Sequence, residues 1–182
     1  IMDIHEYQAK KILSDFGITI PRGGIAYSPE NAEFKAREIG GSKWVVKAQV
    51  HSGARGKAGG IKLCDTELEV AQAADKLLGR KLITNQTGPS GKIINRVYIE
   101  EATHIEKELY LGLVFDRGSE CIMVVASTEG GMSVEEISQK KPESIIRSKI
   151  EVAVGMQEFQ AREIAFNLGI KPELVSRMAS VI

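Results

Sequence analysis

The 182-residue chain has few of the features that mark secreted, membrane-spanning or nucleic-acid-binding proteins. It has only two cysteines, Cys64 and Cys121, and without a secretory signal we expect two reduced, buried thiols rather than a disulfide. No apolar run approaches the ~20 residues that a membrane helix needs. The 24 Lys and Arg residues balance 24 Asp and Glu residues, so the net charge favours neither a nucleic acid nor a membrane surface as partner. These absences predict a soluble cytosolic protein.

Hydrolytic and zinc-binding patterns are also missing. The three histidines, His5, His51 and His104, have no Ser/Asp arrangement around them, and no Cys/His cluster has zinc-ligand spacing. We therefore expect His5 to serve helix packing or to lie at the surface, His51 to form loop hydrogen bonds, and His104 to be a surface residue.

What the chain does contain is a mixture of helix and strand patterns. Helical spacing follows the capping residues Asp3, Ser28 and Thr66, and Ser133 with Glu136 predicts a further short helix. Two more helices are predicted over 159–168 and from Pro172 onward. Strand patterns cover 23–27, 43–49, 61–63, 96–100, 106–115, 120–127 and 144–150, with a hairpin turn at 116–119. The mixture predicts an α/β (α+β) fold with two lobes divided near Glu100.

The strongest local signal for function is a glycine-rich basic loop after the strand that carries Lys47. Glycines stand at 53, 56, 59 and 60, and the cations Arg55 and Lys57 lie between them. Glycines let backbone N–H groups approach an anion, and interleaved cations neutralise phosphate charge. The loop lacks the Walker sequence, because Gly56-Lys57 is followed by Ala58, and its spacing does not fit the Rossmann fingerprint. By composition alone, it is either a phosphate-holding loop or a flexible, solvated basic loop.

A second signal is an acidic junction between two predicted strands. Four glutamates, at 100, 101, 106 and 108, fall within nine positions. A carboxylate can accept two hydrogen bonds from a ribose diol, and extended backbone can read the edge of an adenine. Taken alone, the segment is more typical of an acidic, solvent-facing turn.

Four blocks in the same order resemble the β subunits of succinate–CoA ligases. They are the opening His5-Glu6-Tyr7-Gln8-Ala9-Lys10, the strand Trp44-Val45-Val46-Lys47 with the 51–60 loop, Lys107-Glu108-Leu109-Tyr110-Leu111-Gly112, and Ala126-Ser127-Thr128-Glu129-Gly130-Gly131. The blocks cover nearly the whole chain, and malate–CoA ligase β subunits share them. Together they are far more specific than any single glycine loop.

The resemblance implies an ATP-grasp fold, in which two lobes close on a nucleotide. It implies a phosphate- and adenine-holding lobe over 21–101 and a second lobe of 1–20 plus 102–182. In the family pattern Lys47 contacts the phosphates, and Ala54, Arg55 and Gly56 form the phosphate-covering loop. Glu100 and the backbone to Thr103 hold the adenine, and Glu108 takes the ribose hydroxyls. Many relatives have Gly where Ala54 stands, which is tolerable if the φ angle of Ala54 is negative.

The resemblance also implies a reaction and its partners. Such ligases make succinyl-CoA from succinate, CoA and ATP, releasing ADP and phosphate, in the tricarboxylic acid cycle. The phosphoryl group passes through a histidine of the partner α subunit, so no catalytic residue is assigned to this chain. The Mg²⁺ ligands and the C-terminal CoA-ligase domain are expected beyond Ile182, and we expect the chain to lack ligase activity by itself.

Several alternatives stay open at this point. The acid is succinate, malate or another carboxylate such as citrate, and the nucleotide is ATP, with GTP as the alternative. A non-catalytic interaction module on the same fold is a further alternative, although it has no physical need to keep Lys47, Arg55 and Glu108 together.

Overall fold

The computed structural model describes residues 3–131 and 134–182, and the chain divides into two compact units between His104 and Ile105. The first unit contains three helices and six strands. They are α1 (Glu6–Asp15), β1 (Gly23–Ala26), α2 (Pro29–Ile39), β2 (Trp44–Ala48), β3 (Ile61–Cys64), α3 (Glu67–Leu77), β4 (Lys81–Leu82), β5 (Lys92–Ile93) and β6 (Val97–Glu101). Helices and antiparallel sheets alternate, as the sequence predicts for a mixed α/β fold.

A four-stranded antiparallel sheet in the order β1-β6-β2-β3 organises this unit. Burial alternates along β2, with Trp44, Val46 and Ala48 buried and the two residues between them half-buried. Because side chains of a strand alternate between the two faces of its sheet, one face of β2 packs into the core while the other carries Val45 and Lys47. The core against this face also contains residues of α2 and α3, among them Ala36 and Val70.

Capping residues begin α2 and α3 where the sequence predicts. The Ser28 hydroxyl accepts a hydrogen bond from the Asn31 amide at 3.1 Å, and Pro29 occupies the first turn. The Thr66 hydroxyl accepts one from the Glu69 amide at 3.1 Å. The Glu69 carboxylate accepts from the Asp65 amide rather than from Thr66, so the hydroxyl half of the predicted capping box is confirmed and the other half is displaced by one residue.

Helix α1 differs from its prediction in two respects. It begins at Glu6 with His5 at the cap position, so Asp3 is not the capping residue. None of its residues is buried, and the apolar residues whose spacing predicts the helix, among them Ile12, Leu13 and Phe16, are exposed, Phe16 by 84%. Residues 1–20, which the sequence analysis assigns to the second lobe, fall in the first unit of the structure. Lys10 of this segment forms an ion pair with Glu100 of β6.

The second unit contains a three-stranded antiparallel sheet in the order β7-β8-β9 with helices around it. Its elements are β7 (Tyr110–Asp116), β8 (Cys121–Ser127), α4 (Val134–Lys140), a 3₁₀ turn (Pro142–Ser144), β9 (Ile145–Ile150), α5 (Glu158–Asn167) and α6 (Pro172–Ala179). The predicted hairpin at 116–119 is confirmed by the pairing of β7 with β8. Val124 and Ala126 of β8 pack with Ile164 and Leu168 in a separate small core. The predicted cap at Ser133 lies outside the described residues.

Three smaller findings complete the fold. The short pair β4–β5 was not predicted, because its two-residue strands lie in a polar segment without alternation. Cys64 and Cys121 are both free and buried, as expected. In the described part of the chain, no helix combines the length and apolar character needed to cross a membrane.

Candidate functional site

Lys47 lies on the face of the first unit's sheet opposite α2 and α3. It is paired in register with Ile61 of β3 and with Tyr98 of β6, while Val45 is paired with Glu100. Directly opposed residues of an antiparallel pair share a face, so Lys47 and Glu100 project on the same side. Their side chains meet: Lys47 Nζ lies 2.7 Å from Glu100 Oε1.

The carboxylate of Glu6, in the first turn of α1, lies at the centre of a charged cluster. Its Oε1 is 3.2 Å from Lys47 Nζ, and its Oε2 accepts a hydrogen bond from Arg55 Nη2 at 2.6 Å. Lys10 Nζ lies 3.3 Å from Oε1, and the buried Gln49 side chain donates to Oε2 at 3.4 Å. One carboxylate therefore holds the two cations that the sequence analysis assigned to phosphate.

Lys10 closes the cluster by contacting both carboxylates, because it pairs with Glu100 as well as with Glu6. We call Glu6, Lys10, Lys47, Arg55 and Glu100 the ion-pair cluster. It contains three cations and two carboxylates, and each of these side chains is less than a fifth exposed. Charges so far removed from water interact strongly, and the surplus cation makes the cluster attractive to a further anion.

The cluster shifts the titration of its members. Burial by itself raises the pKa of Glu6, but the charges of Lys47 and Arg55 outweigh burial, and with the Arg55 hydrogen bond they hold that pKa at about 2. Burial, reinforced by the charge of Lys47, lowers the pKa of Lys10 to about 8, although Glu6 opposes the shift. Burial and the nearby Glu6 also raise the pKa of Tyr98. Glu6 is therefore ionised throughout the neutral range.

The glycine-rich loop folds back on itself through hydrogen bonds between its own backbone groups. The amides of Ala58, Gly59 and Gly60 donate to carbonyls within the loop, at 2.8–3.2 Å. The Gly53 amide donates to Gln86 Oε1 at 2.6 Å. No described residue accepts a hydrogen bond from the amides of the next three residues, 54–56. These are the positions that the resemblance assigns to phosphate covering.

Ala54 adopts a backbone conformation that the sequence analysis did not anticipate. Its φ angle is +56°, whereas a negative φ was the condition for tolerating a methyl group there. A left-handed conformation brings Cβ close to the following carbonyl and favours glycine. The methyl group of Ala54 therefore strains the loop, and the negative φ angle on which its tolerance was conditional is not observed.

Arg55 is oriented by the end of β2 and by α1. Its Nη1 donates to the Ala48 carbonyl oxygen at 2.7 Å, while Nη2 reaches Glu6. A polar cavity of about 410 Å³ opens beside it, lined in part by His51, Ser52 and Gly53 of the loop. The His51 ring stacks on His5, with 3.9 Å between centroids. Burial, with the charges of His51, Arg96 and Arg55, lowers the pKa of His5.

The acidic junction separates into residues with different environments. Glu100 is buried and its carboxylate is taken by Lys47 and Lys10, so its side chain belongs to the ion-pair cluster. The amides of Glu101 and Ala102 already donate to backbone carbonyls. A second cavity of about 410 Å³ lies here, lined by Ser42, Lys43, Leu63, Glu101, Ala102, Thr103 and His104. Thr103 is thus placed on a cavity wall, and the exposed Leu63 supplies an apolar surface in it.

Glu108 belongs to the second unit and is exposed. Its backbone packs against Gly130, where an added Cβ would lie 2.5 Å from the carbonyl carbon of Glu108 and 2.7 Å from its oxygen. A Cβ on Gly131 would meet Glu108 Oε2 at 2.8 Å. Gly130 is therefore required by the close approach of the Glu108 backbone, whereas at Gly131 the φ angle of +69° is what favours glycine. The structure thus brings Lys47, Arg55 and Glu100 into one cluster and places Glu108 in the other unit.

Glu6, Lys10 and Gln49 are the site residues that sequence reasoning missed. The opening block containing Glu6 and Lys10 was used for the resemblance, but only its histidine was weighed for a role. A signal was available, since Glu6 and Lys10 stand at i and i+4 and share one face of the helix. No group of three or more His, Cys, Asp or Glu side chains suited to a metal occurs among residues 3–131 and 134–182.

The sequence profile of the ATP-grasp domain matches residues 3–182. A probable malate–CoA ligase subunit beta of Mesorhizobium japonicum is 60% identical over 181 residues, covering 100% of this chain and 46% of that protein. The ADP-forming succinate–CoA ligase subunits beta of Nautilia profundicola and Bacillus subtilis are 53% and 48% identical, covering 93% and 98% of this chain and 43% and 46% of theirs. The chain thus spans a little under half the length of these relatives.

Solved structures show the same fold at low sequence identity. A dinucleotide-forming acetyl-coenzyme A synthetase 1 of Ca. Korarchaeum cryptofilum has a TM-score of 0.66 and 22% identity, covering 98% of this chain and 77% of that one. An ATP citrate lyase from Methanothrix soehngenii has a TM-score of 0.61 and 19% identity, covering 84% of this chain and 36% of that one. At such identities the likeness concerns the fold.

Proposed function

The chain belongs to the ATP-grasp domain family, and from this membership we propose that it is the nucleotide-binding part of the β subunit of an ADP-forming succinate–CoA ligase. The whole protein would join succinate and CoA while converting ATP to ADP and phosphate. The phosphoryl group would pass through a histidine of a partner α subunit. The names of relatives at 48–53% identity support this choice.

The observation that carries the proposal is the meeting of Lys47 and Arg55 beside loop residues 54–56, whose amides donate to no acceptor within the described ranges 3–131 and 134–182. The two cations share one carboxylate, with Lys47 Nζ 3.2 Å and Arg55 Nη2 2.6 Å from Glu6 oxygens. Fixed cations and backbone amides together form a site for a polyphosphate. Phosphoryl transfer depends mainly on positioning and on electrostatic stabilisation, which this arrangement provides without a nucleophile of its own.

We place the adenine in the cavity lined by Leu63 and Thr103. Its apolar wall suits the face of a purine, and extended backbone from Ala102 onward suits its edge. Because the carboxylate of Glu100 is held by two lysines, we assign it to orienting Lys47 rather than to contacting the base. Glu108, in the second unit, is proposed to accept the ribose hydroxyls. Mg²⁺ would neutralise phosphate charge, and no residue of this chain is assigned to it.

Titration calorimetry with ATP, ADP and GTP tests the nucleotide site. Lys47→Ala removes one charge-assisted hydrogen bond and is expected to weaken ATP binding at least tenfold, or ~1.4 kcal/mol. Lys62→Ala is the matched control. Lys62 lies opposite Val46 on the other face of the same sheet and should leave ATP binding unchanged. Equal ATP affinity in wild type and Lys47→Ala would refute the proposed site.

Malate is the second candidate for the acid. The relative at 60% identity is named a probable malate–CoA ligase subunit beta, and its identity exceeds the 53% of the relative named as a succinate–CoA ligase subunit beta. Turnover of succinate and of malate by the complete protein with its α subunit distinguishes the two. This chain alone, mixed with α subunit, is expected to give no turnover, and clear turnover would contradict that expectation.

A further inference from the structure

Glu6 has no part in the proposed contacts with the nucleotide, yet it occupies the centre of the site. Its two oxygens receive four donors: Lys47 and Lys10 on Oε1, at 3.2 and 3.3 Å, and Arg55 and Gln49 on Oε2, at 2.6 and 3.4 Å. A phosphate oxygen would require the same ammonium and guanidinium N–H groups. The Glu6 carboxylate therefore accepts hydrogen bonds from the same donors that a phosphate group would use.

The orientation of Arg55 strengthens this comparison. One nitrogen is held by the Ala48 carbonyl oxygen at 2.7 Å, and the other points at Glu6 rather than at solvent. The arginine side chain is only 17% exposed, so it is committed to this inward contact. A polyphosphate that uses Arg55 must share the guanidinium with Glu6 or replace Glu6.

The helix that carries Glu6 is attached in a way that permits replacement. No residue of α1 is buried, and Ile12, Leu13 and Phe16 are 46%, 44% and 84% exposed. The polar contacts of Glu6, Lys10 and the residues beside them thus make up most of its attachment. Moving the Glu6 side chain away from Lys47 and Arg55 does not require a hydrophobic core to open.

We propose that Glu6 is an internal counter-anion, which holds Lys47 and Arg55 in the nucleotide-free protein and competes with the polyphosphate for them, so that it sets the affinity for nucleotide. This inference rests on the proposed function, because it assumes that Lys47 and Arg55 receive phosphates. Glu6 is in this sense an affinity-determining residue. Competition keeps the cations ordered when the site is empty and lowers the affinity for nucleotide when it fills.

The substitution Glu6→Gln tests the proposal. It preserves size and leaves three cations facing one carboxylate. ATP should bind about tenfold more tightly, since tenfold corresponds to ~1.4 kcal/mol, the order of one charge-assisted hydrogen bond. The gain should grow with phosphate charge, from AMP through ADP to ATP, and adenosine binding should not change. A purely structural role for Glu6 would not produce this dependence on phosphate number.

Asp15→Asn is the matched control. Asp15 lies on the same helix, and the substitution changes the net charge equally, but it pairs only with the exposed Lys11 at 3.2 Å. Its ATP affinity should equal that of wild type. Glu6→Asp shortens the reach of the carboxylate by one methylene and should bind ATP about threefold more tightly, roughly half the tenfold effect on the free-energy scale. This variant carries the test if Glu6→Gln does not fold.

The outcomes separate the two claims. If wild type binds ATP and Glu6→Gln binds it equally or more weakly, the counter-anion proposal is overturned and the proposed function stands. If Glu6→Gln gains affinity equally for adenosine and ATP, the proposal is also overturned, because the gain is unrelated to phosphate. If neither protein binds any nucleotide or inorganic tripolyphosphate, both claims fail.

Discussion

The free energy of unfolding should fall at low pH because Glu6 becomes protonated. The size of this effect follows from the contacts of Glu6 in the ion-pair cluster. On folding, the pKa of Glu6 falls from 4.5 to about 2, because the charges of Lys47 and Arg55 outweigh the cost of burial. A group whose pKa is depressed on folding stabilises the protein above its unfolded pKa. That stabilisation is lost as pH falls through the folded pKa. The window is therefore pH 4.5 to 2, and the full contribution is about 3 kcal/mol at ~1.4 kcal/mol per pKa unit.

Urea unfolding at pH 7 and pH 3 measures this contribution. By linkage, about 2 kcal/mol of the 3 should already be lost at pH 3, where the unfolded carboxylate is mostly protonated. Glu6→Gln has no carboxylate to titrate. It should be less stable than wild type by about 3 kcal/mol at pH 7 and by only about 1 kcal/mol at pH 3. The comparison between proteins cancels the titration of all other carboxylates.

Glu101→Gln serves as the control for this experiment. Glu101 also has a lowered pKa, through its hydrogen bonds with Arg22 at 3.0 Å, but the pair is exposed at the surface. Exposed pairs contribute little to stability, so this variant should follow the wild-type pH dependence closely. If wild type and Glu6→Gln lose equal stability between pH 7 and pH 3, the claim that ionised Glu6 stabilises the fold through Lys47 and Arg55 is refuted.

Two further predictions concern the backbone near the proposed site. Ala54→Gly should raise the free energy of unfolding by about 1 kcal/mol or less, because relief of a left-handed alanine is partly offset by glycine entropy. Ala58→Gly, in the same loop without a positive φ, should instead lower it by about 0.5–1 kcal/mol, and a loss in both variants would contradict the strain argument. Gly130→Ala should cost about 1–3 kcal/mol by thermal unfolding, because its Cβ would meet the backbone of Glu108. Gly118→Ala, whose Cβ would lie 3.4 Å from the nearest atom, should be nearly neutral, and equal losses would argue against the clash.

Local sequence patterns predicted most elements within a few residues. Ser28 with Pro29 and Thr66 define helix starts because a hydroxyl at the cap position satisfies an amide only three residues away. Alternation marks β2 because one of its faces is buried. At α1 the apolar spacing predicted the helix itself, but Ile12, Leu13 and Phe16 are exposed in the structure. Apolar periodicity describes a helix, but it does not say what covers the apolar face.

Part of the candidate site was also accessible from the sequence. Lys47 and the glycines and cations after it lie within fourteen residues, from 47 to 60, so the sequence alone was enough to predict their chemistry. The φ angle of Ala54 could not be predicted from the sequence. Its sign depends on how the loop closes through hydrogen bonds such as Gly60 N to Arg55 O, at 2.8 Å.

The sequence by itself determined the mixed α/β class and the family resemblance, and it predicted that one glycine-rich basic loop binds phosphate. Only the tertiary structure decided that Glu6 and Lys10 meet Lys47 and Glu100, across 41 and 90 residues of chain. It also decided that the Glu100 carboxylate forms ion pairs with Lys10 and Lys47. The physical reason is that a charged side chain takes its role from the partners that share its low-dielectric surroundings. For distant segments those partners are set by sheet register and helix placement.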